Sequence, residues 1–96
     1  MRIIGGRLKG LRLNPPTNLP VRPTTDLAKE ALFNILLNQI EFEDIEVLDL
    51  FSGTGNISLE FASRGAAQVI SVDRSIHCVN YLKITFKPTA KVRVRG

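Results

Sequence analysis

Three short runs of strand-forming residues lie in the second half of the chain, separated by segments long enough for a helix. Residues 45–51 and 69–72 are mostly apolar, as expected of strands buried on both faces of a parallel sheet. Residues 91–95 alternate between basic residues and valine, which is the period of two that is typical of a strand. The pattern therefore predicts three strands.

The segments between these runs have apolar residues at the spacing of a helix face. A helix is predicted over 25–38, capped by Thr24 or Thr25, a second over 56–64, and a third after Ser75. Phe33, Phe51 and Phe61 are expected in the core rather than on a base-stacking surface. The expected buried positions are Ala28, Ala31, Leu32, Ile35 and Leu36 of the first helix, Ile57, Phe61 and Ala62 of the second, Ile76, Val79 and Leu82 of the third, and also Phe33 and Phe51.

The order of these elements predicts an α/β fold. Alternating strands and helices build a parallel sheet with right-handed crossovers, and three strands with two crossover helices form half of a doubly wound sheet. A complete sheet of this kind usually needs about 150 residues, whereas the chain has 96. We therefore expect a Rossmann-like fold truncated after about the third parallel strand. Its exposed sheet edge and uncovered apolar face predict marginal stability, self-association of copies of the chain through that edge, or partial disorder of the tail.

The first 22 residues form a separate, strongly basic segment. The Gly5-Gly6 pair predicts a turn, and the prolines at 15 and 16 prevent strand pairing beyond it. We expect residues 1–22 to form a β-hairpin arm with a linker, and residues 23–96 to form the N-terminal half of the Rossmann-like domain. The segment contains no acidic residue, and its basic residues are Arg2, Arg7, Lys9, Arg12 and Arg22.

The distribution of charge favours a polyanionic partner. The chain has 13 basic and 9 acidic residues, a net charge of +4, and all of its acids lie between residues 23 and 82. Two basic ends around an acidic middle fit RNA or DNA, although solvated ends that bind nothing have the same composition. No apolar run approaches the roughly 18 residues of a membrane span, and no apolar signal region begins the chain. A cytoplasmic location is therefore expected.

A glycine-containing loop between the first predicted strand and the second helix carries the candidate chemistry. Gly53 and Gly55 allow the backbone to turn sharply and to approach a ligand closely, and the helix that follows presents free N–H groups. Asp73 ends the next strand, 18 residues after Gly55. A carboxylate there can accept hydrogen bonds from both hydroxyls of a ribose. The spacing predicts a site for a nucleoside-containing cofactor.

Two cofactors compete for this loop, a nicotinamide dinucleotide and S-adenosylmethionine. The dinucleotide fingerprint needs a very small residue where Ser58 stands, and Asp49 would repel a pyrophosphate. The sulfonium and ammonium groups of S-adenosylmethionine are cations, which an acid beside the loop suits. The electrostatics favour S-adenosylmethionine. The plain alternative is a glycine turn that only joins a strand to a helix.

At these residues the sequence resembles the class I S-adenosylmethionine-dependent methyltransferases. With three further stretches, Met1-Arg2-Ile3-Ile4-Gly5-Gly6-x-x-x-Gly10, Arg22-Pro23-Thr24-Thr25-Asp26 and residues 30–36, it is similar to the RsmD family over about residues 1–83. That family methylates the N2 amino group of a guanine in 16S ribosomal RNA. The resemblance therefore implies a class I methyltransferase fold, S-adenosylmethionine as cofactor, ribosomal RNA as partner and a role in rRNA methylation.

The resemblance also implies roles for individual residues. Asp49 would lie near the methionine part of the cofactor, Asp73 would hold its ribose, and the basic arm would contact RNA. Arg22 could instead form a helix-flanking ion pair with Asp26. The implied cofactor-binding residues are Asp49, Phe51, Ser52, Gly53, Thr54, Gly55, Asn56, Asp73, Arg74 and Thr24, and the implied RNA-binding residues are Arg2, Arg7, Lys9, Arg12 and Arg22.

The catalytic motif of the family is not found in the 96 residues. The family has Asn/Asp-Pro-Pro-Tyr after a fourth strand, whereas the only Pro-Pro pair here, Pro15-Pro16, precedes the glycine loop and is followed by Thr17. No catalytic residue and no metal-ligand set is therefore assigned, and the chain alone is expected to be inactive. The alternatives are a non-enzymatic basic RNA-binding module, an N6-adenine DNA methylase-like protein and, less favoured, a fragment of a nicotinamide-dependent oxidoreductase.

Overall fold

The computed structural model describes residues 1–20, 24–85 and 92–95. The predicted alternation of helices and strands is present, and most boundaries lie within two residues of their expected positions. The elements are α1 (Asp26–Leu37), β1 (Glu46–Asp49), α2 (Asn56–Ser63), β2 (Gln68–Val72), α3 (Ile76–Thr85) and β3 (Val92–Arg95).

The three strands form one parallel sheet in the order β1-β2-β3. Val47 of β1 lies beside Val69 of β2, which in turn lies beside Val92 of β3. Asp49 at the end of β1 is opposite Ser71 near the end of β2. Because the carboxyl ends of parallel strands meet at one edge of the sheet, the loops after β1 and β2 start side by side.

The core lies on one face of this sheet. Leu59 of α2 and Leu82 of α3 are buried in one cluster with Val69 and Val92, and Ile3 of the arm joins the same cluster. Leu48, the next residue of β1 after Val47, points to the opposite face of the sheet and is 60% exposed. Both crossover helices therefore cover the same face of the sheet, and apolar surface stays exposed on the opposite face in the described part of the chain.

The predicted N-terminal hairpin is present, although it is held by one isolated bridge and a few backbone hydrogen bonds rather than by long strands. Arg2 and Arg12 form an antiparallel bridge, and the Ile3 N–H donates to the Leu11 carbonyl over 2.9 Å. The arm then lies on the end of α2, where the N–H of Arg7 donates to the carbonyl of Ser63 over 2.8 Å. The arm is thus part of the folded unit.

The expected buried face of α1 is wrong. Leu32 and Ile35 are 41% and 59% exposed, whereas Lys29 and Phe33, one helical turn apart, are fully buried. The physical reason is that Phe33 joins an aromatic cluster with ring centroids 5.7 Å from Phe42 and 4.8 Å from Phe61. The face that carries Lys29 must then turn inward as well.

Two other expected core positions are also wrong. Phe51 is 90% exposed because it follows β1 in the glycine loop rather than in the strand. In α3, Ile76 is 62% exposed, while Cys78 is fully buried together with Val79 and Leu82. The helix therefore turns Cys78 toward the core in place of its first residue.

Candidate functional site

A cleft opens where the loops after β1 and β2 lie together beside the first residues of α2. Its volume is about 780 Å³, which lies within the usual range of small-molecule sites. The residues of the cleft that the sequence also predicted are Thr24, Phe51, Ser52, Gly53, Thr54, Asn56, Asp73 and Arg74. The cleft is the candidate functional site.

The glycine loop has the sharp turn that its sequence predicts. Gly55 adopts a left-handed conformation with φ +78° and serves as the N-cap of α2 without a side-chain hydrogen bond. Its N–H donates to the carbonyl of Ser52 over 2.7 Å, and its own carbonyl accepts from Leu59 over 2.9 Å. A residue with a Cβ would be strained at this φ, so glycine allows the helix to begin directly at the cleft.

Asp73 is fixed between the two loops that form the cleft. One of its carboxylate oxygens, Oδ2, accepts a hydrogen bond from the Gly53 N–H over 2.9 Å, and the other, Oδ1, accepts from the Ser75 N–H over 2.9 Å. A carboxylate oxygen has two lone-pair directions, so each oxygen can still accept a further hydrogen bond. The half-buried Asp73 is therefore oriented as an acceptor for neighbouring hydroxyl groups.

Asp49 is held by a short chain of buried hydroxyls rather than by the cleft itself. Its Oδ2 accepts from the hydroxyl of Ser58 over 2.7 Å, and the hydroxyl of Ser71 donates to that of Ser58 over 2.6 Å. Ser58 and Ser71 are both fully buried. Ser58, the residue that departs from the dinucleotide fingerprint, thus helps to hold the Asp49 carboxylate in place.

Comparison with known proteins identifies the family of the chain. The family described as Conserved hypothetical protein 95 matches residues 1–94. The chain belongs to this family.

The relatives of this family member are methyltransferases by name. Ribosomal RNA small subunit methyltransferase D of Escherichia coli (strain K12) is 44% identical over 78 residues, which cover 79% of this chain and 38% of that protein. The YlbH protein of Bacillus subtilis (strain 168) is 38% identical over 87 residues, which cover 91% of this chain and 46% of that protein. The indicated membership of the RsmD family is confirmed.

The similarity extends to solved structures. The yhhF protein of Escherichia coli has a TM-score of 0.81 and 32% sequence identity with this chain, and the match covers 98% of this chain and 50% of that one. The expected class I methyltransferase fold is confirmed. The chain spans half or less of the length of these three relatives.

In this family member, eight of the ten predicted cofactor-binding residues line the cleft and two do not, while five further residues line it that were not predicted. Asp49 and Gly55 are absent from the lining, because both support the loop from within. Val72 precedes Asp73 and Ser75 follows Arg74, so their position next to a predicted site residue is a usable signal, whereas the sequence carries none for Pro20. The unpredicted lining residues are Pro20, Leu50, Ile57, Val72 and Ser75.

Asn56 joins the wall of the cleft to the interior of the protein. Its side chain is 2% exposed, and its Nδ2 donates to the carbonyl of Thr24 over 2.7 Å. Its Oδ1 accepts a hydrogen bond from Lys29 Nζ over 2.7 Å. Lys29 does not line the cleft, and hydrophobic periodicity, which places lysines on the surface, gives no sign of its role.

The basic residues of the arm differ in their surroundings. Three of them lie on the surface and are called the exposed arm cations below: Arg7, Lys9 and Arg12. Arg2 instead has its Nε 3.8 Å from Asp26 Oδ2, and its backbone N–H donates to Oδ1 of the same carboxylate over 3.1 Å. Arg22 lies outside the described residues, so the alternative ion pair between Arg22 and Asp26 does as well.

Other kinds of site are not found in the part of the chain that the structure describes. Within it, no group of three or more histidine, cysteine, aspartate or glutamate side chains is placed to hold a metal ion. No helix among the described residues is both long and apolar enough to cross a membrane.

Proposed function

We propose that this chain is the cofactor-binding half of an S-adenosylmethionine-dependent methyltransferase that acts on the exocyclic N2 amino group of a guanine in 16S ribosomal RNA. Its membership of the RsmD family and the name of the Escherichia coli relative support the methyltransferase class and the ribosomal RNA substrate. Guanine and its N2 atom come from the resemblance of the sequence motifs to that family.

The geometry of Asp73 is the observation that carries the cofactor assignment. Its carboxylate is oriented by the backbone of both cleft loops and retains acceptor capacity on each oxygen. Two adjacent hydroxyls, as on a ribose, match two carboxylate oxygens, so Asp73 would hold the nucleoside part of the cofactor. Gly53, which donates to Asp73 and lines the cleft, has no side chain that could occupy this space.

The charge around the loop distinguishes S-adenosylmethionine from a dinucleotide. Asp49 ends β1 and Asp73 directly follows the neighbouring strand β2, and the hydroxyl of Ser58 stabilises the Asp49 carboxylate by a hydrogen bond. The Asp73 carboxylate in the cleft lining and the Asp49 carboxylate behind it favour a cationic ligand and disfavour a pyrophosphate. When bound, S-adenosylmethionine supplies a methyl group on a cationic sulfur, which transfers by displacement. The protein contributes mainly by binding and orienting the cofactor.

The arm is proposed to contact the RNA through the exposed arm cations. Arg7, Lys9 and Arg12 project from a segment that is docked on α2, so phosphate contacts there would hold the RNA at a fixed position relative to the domain. Arg2 would contribute less because its guanidinium already faces Asp26. Such contacts are sequence-independent and weaken with salt.

Calorimetric titration with S-adenosylmethionine, and with NAD in parallel, tests the cofactor assignment. We expect saturable binding of S-adenosylmethionine alone and its loss in Asp73→Asn, which keeps the shape of the side chain and removes its charge. Asp44→Asn is the matched control, since Asp44 is exposed and lies outside the cleft lining. Binding of NAD alone, or undiminished binding in a folded Asp73→Asn variant, would refute the assignment.

A second experiment tests the substrate. The 96 residues lack the Asn/Asp-Pro-Pro-Tyr motif of the family, so we propose that they bind 16S ribosomal RNA without methylating it. We expect the chain to retain 16S RNA on a filter in preference to duplex DNA of equal length, and to transfer no radioactive methyl group from S-adenosylmethionine. Preference for the DNA would support the DNA methylase alternative, and RNA binding without cofactor binding would support the RNA-binding module.

A further inference from the structure

The ammonium group of Lys29 is enclosed by three protein acceptors. Its side chain is 0% exposed. The Nζ atom donates to the backbone carbonyl of Arg2 over 2.5 Å and to Asn56 Oδ1 over 2.7 Å, and it lies 3.1 Å from Glu60 Oε1. An ammonium has three N–H donors, so all of its hydrogen-bonding capacity is used inside the protein. Lys29 thereby joins three separate segments, the arm, α1 and α2.

The carboxylate that compensates this charge also holds the arm. Glu60 Oε1 accepts from the N–H of Ile4 and Oε2 from the N–H of Gly5, each over 2.9 Å. Arg64 Nε donates to the same Oε2 over 2.8 Å. Burial of Glu60 by itself would raise the pKa of its carboxyl, but these hydrogen bonds, with that from Lys29, lower the pKa below its ordinary value. The docked arm is thus a direct partner of the buried ion pair.

The same ammonium reaches the cleft through one side chain. The amide of Asn56 accepts from Lys29 on its oxygen and donates to the carbonyl of Thr24 on its nitrogen. Both Asn56 and Thr24 line the cleft, whereas Lys29 does not. The hydrogen bond from Lys29 fixes which way the amide faces, because only the oxygen of an amide can accept it. The amide nitrogen is then directed to Thr24.

We propose that Lys29 is a positioning residue that couples the docking of the arm to the shape of the cofactor cleft. The inference rests on the proposed function, because it assumes that S-adenosylmethionine binds in this cleft. The buried polar groups of this network have all of their hydrogen-bond partners only when the arm, α1 and α2 are in place together. Loss of one segment leaves buried polar groups without a partner, which is costly in free energy. A ligand that stabilises the cleft wall therefore stabilises the docked arm, and by linkage a ligand of the arm tightens binding of the cofactor.

Hydrogen exchange of the unaltered 96-residue chain tests this coupling. Saturation with S-adenosylmethionine should slow exchange at the amides of Ile4 and Gly5, which lie outside the cleft, by roughly 2- to 30-fold beyond the change at Ala67. The Ala67 N–H donates to Ile45 and reports general stabilisation of the sheet region. If the cofactor binds and the Ile4 and Gly5 amides change no more than that of Ala67, the coupling is refuted.

Lys29→Met removes the ammonium and keeps the length of the side chain. We expect roughly 2- to 30-fold weaker binding of S-adenosylmethionine and loss of the Ile4 and Gly5 response, in a variant whose circular dichroism is that of the folded chain. Glu30→Gln, on the exposed neighbour, is the control for a change of charge in α1 and should alter neither quantity.

The outcomes separate the inference from the proposed function. A folded Lys29→Met variant that binds the cofactor as tightly as the unaltered chain would refute the positioning role while leaving the cofactor assignment intact. Failure of the unaltered chain to bind S-adenosylmethionine would refute both. If Lys29→Met does not fold, the exchange experiment on the unaltered chain decides the question, since it requires no substitution.

Discussion

The docking of the arm on α2 depends on the absence of a side chain at Gly6. A Cβ at this position would lie 2.1 Å from the carbonyl oxygen of Ser63 and 2.4 Å from its carbonyl carbon. Non-bonded carbon and oxygen atoms keep about 3.3 Å or more between them, so Gly6→Ala must displace the arm or the helix end by about 1 Å. The atoms in the way belong to the backbone and cannot rotate aside.

Gly10 provides a control that separates steric clash from backbone strain. Gly6 and Gly10 both have positive φ, +79° and +88°, but a Cβ at Gly10 would meet nothing within 4 Å. Alanine in a left-handed conformation costs about 1–2 kcal/mol, which is the whole effect expected for Gly10→Ala. Gly6→Ala additionally disrupts the hydrogen bonds from the N–H groups of Arg7 and Leu8 to Ser63, each worth about 1 kcal/mol.

We therefore expect a loss of about 3–4 kcal/mol in the free energy of unfolding for Gly6→Ala, against about 1–2 kcal/mol for Gly10→Ala. Urea unfolding followed by circular dichroism measures both values on the same chain. Equal losses in the two variants would mean that the arm does not lie against Ser63 in solution. A smaller loss for Gly6→Ala than for Gly10→Ala would refute the docked geometry altogether.

Three further predictions follow from the described contacts. Because the folded-state pKa of Glu60 is lowered, ionisation of its carboxyl stabilises the fold at neutral pH. The urea midpoint should therefore fall as the pH drops below about 4.3, and the fall should be shallower in Glu60→Gln, which cannot titrate. Phe33→Ala should cost about 3–5 kcal/mol in the free energy of unfolding, whereas the exposed Phe51→Ala should cost almost nothing by the same urea assay. Replacing the three exposed arm cations by alanine should flatten the plot of log RNA affinity against log salt concentration. Its slope should change by up to about 0.7 for each lost contact with single-stranded RNA, and an unchanged slope would exclude the arm from binding.

The exposed face of the sheet bears on the expected self-association. Leu48 is 60% exposed, and β1 is an edge strand among the strands that the structure describes. An unpaired edge beside apolar surface favours association of copies of the chain. Sedimentation velocity at increasing concentration should therefore give a rising mass, and Leu48→Lys should reduce it. A monomer at all concentrations would contradict this expectation.

The parts of the site that were predictable depend on residues close together in sequence. The strand, the glycine turn and the start of α2 follow one another between Glu46 and Asn56, so their geometry is fixed by local backbone preferences. Asp73 was found because the next parallel strand must end beside the first. Phe51 was misplaced because an apolar residue at a strand end looks the same whether the strand continues or the loop has begun.

The burial of Lys29 could not be predicted from sequence. The cost of burying its charge depends on partners that are distant in sequence, and no local pattern shows that they meet. Arg2 and Asn56 lie 27 residues before and after it, and Glu60 lies further along the same helix as Asn56. Hydrophobic periodicity assigns a lysine to the surface, and that rule fails where a carboxylate and two further acceptors meet the ammonium. Removing one member leaves an uncompensated buried charge, which is far more costly than the intact pair is favourable. The wall of the cleft therefore depends on a residue that neither lines it nor resembles a ligand-binding residue.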